Sequence, residues 1–140
     1  MKFFVILSKK NLALITAFLI ITLLVTASVR SAAINRIDGS TNALRVAYIK
    51  SLGLEVDETA ISVKEIVIPV DFGEVYSRYN DLQKKAGFDL TRFKGEKATV
   101  YCYGLSHDDG VNVHIIVVNG AVIGGDIAEI RLDGEIKPLS

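Results

Sequence analysis

The hydrophobic positions along the chain fall into two regimes. From Asn11 to Val29 the sequence reads NLALITAFLIITLLVTASV, nineteen residues without a charge. At 1.5 Å per residue a helix over this run is about 28 Å long, close to the roughly 30 Å hydrocarbon core of a bilayer. Leu12, Leu14, Ile15, Phe18, Leu19, Ile20, Ile21, Leu23 and Leu24 cover every face of it. A core helix of a small domain is amphipathic, so lipid is the natural solvent for this one. Beyond Arg30 the apolar residues become periodic. Leu44, Ala47, Tyr48 and Leu52 share one helical face; this helix starts near Ser40 or Thr41, ends at Gly53 in the left-handed position, and has Leu54 returning onto Ile49. Residues 62–70 are rich in β-branched side chains and contain Pro69 near their end, which predicts a strand. Asp71 and Glu74 then read as a capping box, and Val70 with Val75 as a hydrophobic staple. The helix they start presents Phe72, Val75, Tyr76, Tyr79, Leu82 and Ala86 to the core and stops at Gly87.

Three strands follow the segment GFDLTRFKG, over about 97–105, 111–118 and 121–132, the first two joined by Ser-His-Asp-Asp-Gly. Asn119-Gly120 specifies a two-residue hairpin, because a type I′ turn needs positive φ at both central positions. Strict pairing around it sets Val118 against Ala121, Ile116 against Ile123 and His114 against Gly125 on one face. Val117 with Val122, Ile115 with Gly124 and Val113 with Asp126 share the other, more apolar face. That register drives a carboxylate into an apolar layer, so Gly124-Gly125 is expected to mark a bulge that turns Asp126 out of it. The element order is α-β-α-β-β-β. The fold class is α+β, with two helices packed on one face of a small antiparallel sheet, preceded by one transmembrane helix.

Charge sharpens the topology. Lys2, Lys9 and Lys10 precede the apolar run, so the positive-inside rule leaves residues 1–10 as a cytoplasmic tail, 11–29 as the anchor, 30–39 as a linker and 40–140 as an extracytoplasmic domain. The rival reading is a signal peptide cut near Ala27, after which the domain would be secreted. From residue 31 onward 12 Lys/Arg face 16 Asp/Glu with no basic block, which excludes the electrostatic footprint of a nucleic-acid binder. The lone Cys102 cannot form an internal disulfide, and a domain of this size needs none.

The segments AYIKSLGLEVD, IVIPVDF, YSRYNDLQKKAGFDLTRFKG, YCY and GGD resemble an uncharacterised family of Gram-positive anaerobes, domain of unknown function 4830, and the resemblance covers nearly all of residues 45–134. Leu54 departs from the aromatic residue expected there, which touches packing more than chemistry. The resemblance implies an exported or anchored domain of the cell envelope. It supplies no activity, substrate or catalytic residue.

Each candidate for chemistry has a structural counterpart. Asp89 and Arg92 can form a polar recognition edge, or Asp89 can accept turn amides while Phe88 and Leu90 return to the core. His107, Asp108 and Asp109 are too few oxygen donors, in too short a loop, for a hard cation, so no metal is assigned. His114 can approach Asp126 diagonally as an acid/base pair, or be an ordinary strand histidine. Cys102 has no adjacent base and reads as an inert core thiol, whereas Tyr101 and Tyr103 alternate to the opposite face, where they either form a binding surface or cover the sheet's second face. Gly124, Gly125 and Asp126 mark a bulge, a close helix approach, or bare backbone open to a ligand. No GxSxG, HExxH, CxxC, Walker or dinucleotide fingerprint is present, so no cofactor is assigned. The sequence therefore reads as a membrane-anchored, non-enzymatic domain that recognises a protein or cell-envelope component through Asp89, Arg92, Tyr101, Tyr103 and Gly124 to Asp126. The alternative is a small envelope hydrolase using Asp89, Asp126 or His114, which requires at least two of these groups to converge.

Overall fold

The computed structural model describes residues 36–140. The expected cytoplasmic tail, the 11–29 segment and most of the linker lie outside the described residues. Among the described residues no helix is long and apolar enough to cross a membrane. Ile37 to Gly39, expected in the linker, join the sheet: the Val122 amide donates to the Ile37 carbonyl (2.9 Å), that of Gly39 to Gly120 (2.9 Å), and Asp38 bridges Ala121.

Helix α1 spans Asn42–Ser51, its N-terminus capped by Thr41, whose hydroxyl accepts from the Leu44 amide. Gly53 takes φ +80° past its end, and Leu54 packs back on the core as expected. The buried face is Arg45, Val46 and Ile49, while Leu44 and Ala47 point to solvent. The helix is thus rotated from the apolar face that the spacing indicates, because the aliphatic stem of Arg45 packs inward like a hydrocarbon side chain.

Strand β1 covers Ser62–Val67, and helix α2 covers Glu74–Lys85. Neither the capping box nor the staple forms. The N-cap is Gly73, Val70 and Val75 are exposed, and Glu74 pairs with Arg78 instead. The chain bends after Pro69 through residue 71, so the helix starts later than Asp71 would set it, and Phe72 packs at a tilt against Tyr76, 4.9 Å between centroids. At the other end Gly87 (φ +85°) and Phe88 return their amides to Lys84 and Gln83, the paired bonds of a Schellman ending. A 3-10 turn over Leu90–Phe93 leads into β2 (Lys97–Leu105), β3 (Asp108–Val118), β4 (Ala121–Glu129) and β5 (Ile136–Pro138). The β2–β3 turn is only Ser106-His107, so Asp108 to Gly110 belong to the strand and not to a loop.

The sheet is an antiparallel meander in the order β1-β2-β3-β4-β5. The two helices cover opposite faces, not one. Val46 and Ile49 of α1 pack with Tyr103, Val113, Ile115 and Val117, whereas Tyr76 and Tyr79 of α2 pack with Ala98, Ile116, Val118 and Ile123. The physical reason lies in the strands themselves: β2, β3 and β4 carry apolar side chains on both faces, and either face left bare would expose a large apolar surface to water.

Asn119 and Gly120 have φ of 48° and 74°, as the hairpin requires. Pairing starts at Val118–Ala121 and Val117–Val122, and the register then shifts, giving Ile116–Gly124, Ile115–Gly125, His114–Asp126 and Val113–Ile127. The extra residue lies at Ile123-Gly124, one position before the expected site. It moves Asp126 off the face of Val113 and onto that of His114, under α2 rather than into solvent. A Cβ on Gly124 would sit 2.8 Å from Gln83 Oε1; one on Gly125 would collide with the His114 carbonyl and lie 2.6 Å from Leu139 Cδ2. Both glycines are required by close packing. Gly125→Ala is therefore expected to lower the unfolding free energy by about 2 kcal/mol in urea titrations, the cost of overpacking a filled site; an unchanged midpoint would show that β4 can yield there.

Candidate functional site

The registers of the five strands place Ser62, Cys102, His114, Asp126 and Pro138 directly opposite one another in a single row across the sheet. Directly opposed residues share a face, here the one that α2 covers. Tyr79 and Gln83, four residues apart on α2, both reach down to β4. The Tyr79 hydroxyl donates to Asp126 Oδ2 at 2.5 Å, and the Gly125 amide donates to Gln83 Oε1 at 2.8 Å. Asp126 Oδ1 lies 2.8 Å from Nδ1 of His114. A carboxylate only accepts, so Nδ1 carries the proton and Nε2 is the ring nitrogen left for other partners.

This chain of three groups is partly closed to solvent: the Asp126 side chain is 8% exposed and that of His114 28%. The hydrogen bond to Asp126 raises the His114 pKa above its ordinary value, outweighing the opposing effect of burial. Burial, and then the Asp126 charge, push the Tyr79 phenol far above its usual range, so it stays a donor. Burial also raises the Cys102 thiol; Ser62 beside it pulls the other way, and the Asp126 charge adds to the rise. A thiol so placed is a poor nucleophile. Gln83 is fully buried, and its Nε2 has no hydrogen-bond partner among the described residues.

The other sequence-selected residues lie elsewhere. Asp89 caps the 3-10 turn, accepting from the Thr91 amide (3.1 Å), the Thr91 hydroxyl (2.7 Å) and Asn80 Nδ2 (3.1 Å). These bonds hold its carboxyl at about 2. Asn80 also accepts from the Leu90 amide, so Asp89 fastens the turn to α2 and does not join His114. Arg92 is exposed on that turn. Tyr101 and Tyr103 do face away from Cys102, but α1 covers them. Tyr103 is fully buried, accepting from Arg45 Nε (2.9 Å) and donating to Asn42 Oδ1 (2.9 Å), and the Arg45 guanidinium stacks 3.5 Å above the Tyr101 ring. Of the two readings of these tyrosines, the structure has them covering the second face of the sheet, as a buried polar junction beneath α1. Arg45 also donates to the Gly39 carbonyl (2.7 Å), and none of the described ion pairs involves it.

No group of three or more His, Cys, Asp or Glu among the described residues is arranged to hold a metal ion. Two surface grooves, of about 220 Å³ beside Asp108, Glu129 and Arg131 and about 580 Å³ beside Asn42, Lys50 and Glu58, are lined by neither His114 nor Asp126. Sequence reasoning missed Tyr79, Gln83 and Arg45 as polar contributors. The i, i+4 spacing of Tyr79 and Gln83 opposite a glycine pair was the available signal for two of them.

Because the His114 pKa is raised in the folded state, the pair contributes stability that is fully present below the unfolded value of about 6.5 and is lost as pH rises through the folded value. The stability difference between wild type and His114→Asn should accordingly be largest in mildly acidic solution and shrink with rising pH. A pH-independent difference in urea midpoints would remove the charge coupling.

Residues 48–127 match the family model described as Domain of unknown function (DUF4830), more than half of the chain. No curated protein and no solved structure matches it. The matched span holds β1 to β3, α2, and β4 as far as Ile127, and with them Tyr79, Gln83, Cys102, His114 and Asp126; the chain therefore belongs to the DUF4830 family.

Proposed function

We propose that this chain is a membrane-tethered, extracytoplasmic recognition module that binds a protein or another cell-envelope component without altering it chemically. The observation that carries this reading is the apolar surface along the first edge of the sheet, where Ile61, Val63 and Val67 are 62%, 59% and 58% exposed. Apolar side chains clustered on one edge mark interaction surfaces, unlike single scattered ones. The reactive groups elsewhere in the domain are engaged within the fold: Asp126 by Tyr79 and His114, and Asp89 by Thr91 and Asn80. The uncharged run 11–29, preceded by three lysines, supports a bilayer as the first partner and a cytoplasmic N-terminus. Cleavage near Ala27 would give the same domain in secreted form. The acidic balance beyond residue 31 speaks against nucleic acid.

A second reading, a small envelope hydrolase, draws on the 2.8 Å contact between His114 and Asp126, which leaves Nε2 of a partly exposed imidazole for proton transfer. It has two of its three candidate carriers; Asp89 takes no part.

Two measurements test the first reading. In a Cys102→Ala background, Ser140→Cys should react with a membrane-impermeant maleimide on intact cells; labelling only after lysis would place the domain inside. A photocrosslinking residue at Val63 or Val67 should give a defined adduct in cells, one at Lys84 should not, and the adduct should persist in His114→Ala. Absence of any adduct, with a cellular effect that disappears in folded His114→Ala, would favour the hydrolase.

A further inference from the structure

Strand β1 is one edge of the sheet, six residues long, and no described element pairs with its outer rim. The opposite edge is different: β5 has three residues, one of them Pro138, too short and too poor in donors to accept another strand. On β1, Val63, Glu65 and Val67 lie on the α1 face, opposite Tyr101, Thr99 and Lys97; Ser62, Lys64 and Ile66 lie on the α2 face. Val63 and Val67 remain largely in solvent although they belong to a covered sheet. An outer rim of main-chain donors and acceptors, flanked by exposed valines two positions on either side of a charge, is suited to an added strand.

A second copy of this chain is a poor occupant. In an antiparallel dimer with one continuous sheet the two-fold axis stands perpendicular to it, and directly opposed side chains must share a face. Residue numbers of opposed positions then sum to an even number. The two registers of greatest overlap centre on residue 64 or residue 65, and they set Lys64 against Lys64 or Glu65 against Glu65. Like charges directly opposite one another destabilise pairing, the device by which exposed edges avoid self-association.

We propose, resting on the recognition reading above, that β1 receives an extended segment of another envelope protein as an added antiparallel strand. Its chemistry follows from charge complementarity: apolar side chains opposite Val63 and Val67, Lys or Arg opposite Glu65, and Asp or Glu opposite Lys64. Read from its own N-terminus, the partner carries apolar–any–basic–acidic–apolar. Main-chain hydrogen bonds supply the affinity, and the two charges fix the register.

The test uses the full chain in mild detergent and two fluorescent ten-residue peptides, one with this pattern and one with its basic and acidic residues exchanged. The patterned peptide should bind about tenfold more tightly, the sum of two cross-strand pairs turned from attractive to repulsive. The exchanged chain, Lys64→Glu with Glu65→Lys, should reverse the preference; both positions are exposed, and an unchanged urea midpoint confirms its fold. Amide exchange should slow within residues 62–67 on binding. Equal binding of both peptides, or a preference that survives the exchange in the chain, overturns strand addition. If Val63 crosslinks a partner in cells while neither peptide slows exchange in β1, recognition stands and the added strand is wrong. If no adduct forms and neither peptide binds, both readings fall.

Discussion

The structure depends on one extra residue in β4. Without the bulge at Ile123-Gly124, Asp126 would oppose Val113 in the layer beneath α1, a carboxylate among Ile115, Val117 and Ile49. An unpaired charge there would cost several kcal/mol, enough to consume much of the stability of a domain this size. With the bulge, Asp126 faces α2 and accepts from Tyr79 and His114. The same shift sets bare backbone at Gly124 and Gly125 beneath Gln83, letting the helix come close enough for its amide oxygen to take the Gly125 N–H. One irregularity thus both removes a buried charge from the apolar layer and supplies the partner that docks the second helix.

The two faces of the sheet solve the same problem differently. Beneath α1 the contacts are apolar except at Asn42, which accepts from the Tyr103 hydroxyl, and at Arg45, whose charge is met by the Tyr101 ring, the Tyr103 hydroxyl and the Gly39 carbonyl instead of a carboxylate. Beneath α2 the buried helix residues are Asn80 and Gln83, and directed hydrogen bonds to Leu90 and Gly125 replace much of the usual hydrocarbon packing. Such contacts fix orientation more than they add stability, since each net hydrogen bond contributes only about 1 kcal/mol. Held by position-specific polar bonds, α2 is fixed to β4 and to the 3-10 turn.

What the sequence made legible followed from local rules. Asn119-Gly120, Gly53 and Gly87 fall where backbone geometry demands them, and β2, β3 and β4 stand near their expected bounds. The need for a bulge was visible as well, because strict alternation misplaced Asp126. The helix seats were legible only in part: Phe72, Tyr76 and Tyr79 of the α2 region pack on the core as their spacing indicates, whereas Arg45, Asn80 and Gln83 are polar by composition yet buried by contact, so a hydrophobic pattern passes over them and misplaces the face of α1. The capping box at Asp71 and Glu74 failed because Pro69 and the bend after it displace the helix start. Strand β5 is three residues ending in proline and carries no periodic signal. Of the candidate site, the closeness of His114 and Asp126 was readable from the hairpin register. The burial of Tyr103 was not, since it depends on which face α1 takes.

Asp126 organises the fold, and the surface proposed for partners is β1. The most direct measurement of that central claim is a double-mutant cycle in urea between Tyr79→Phe and Asp126→Asn. Direct coupling through a buried, charge-assisted hydrogen bond predicts an interaction energy of about 1.5 kcal/mol or more. Additivity within about 0.3 kcal/mol would mean that the tyrosine and the carboxylate act independently, and that something other than Asp126 holds α2 on the sheet.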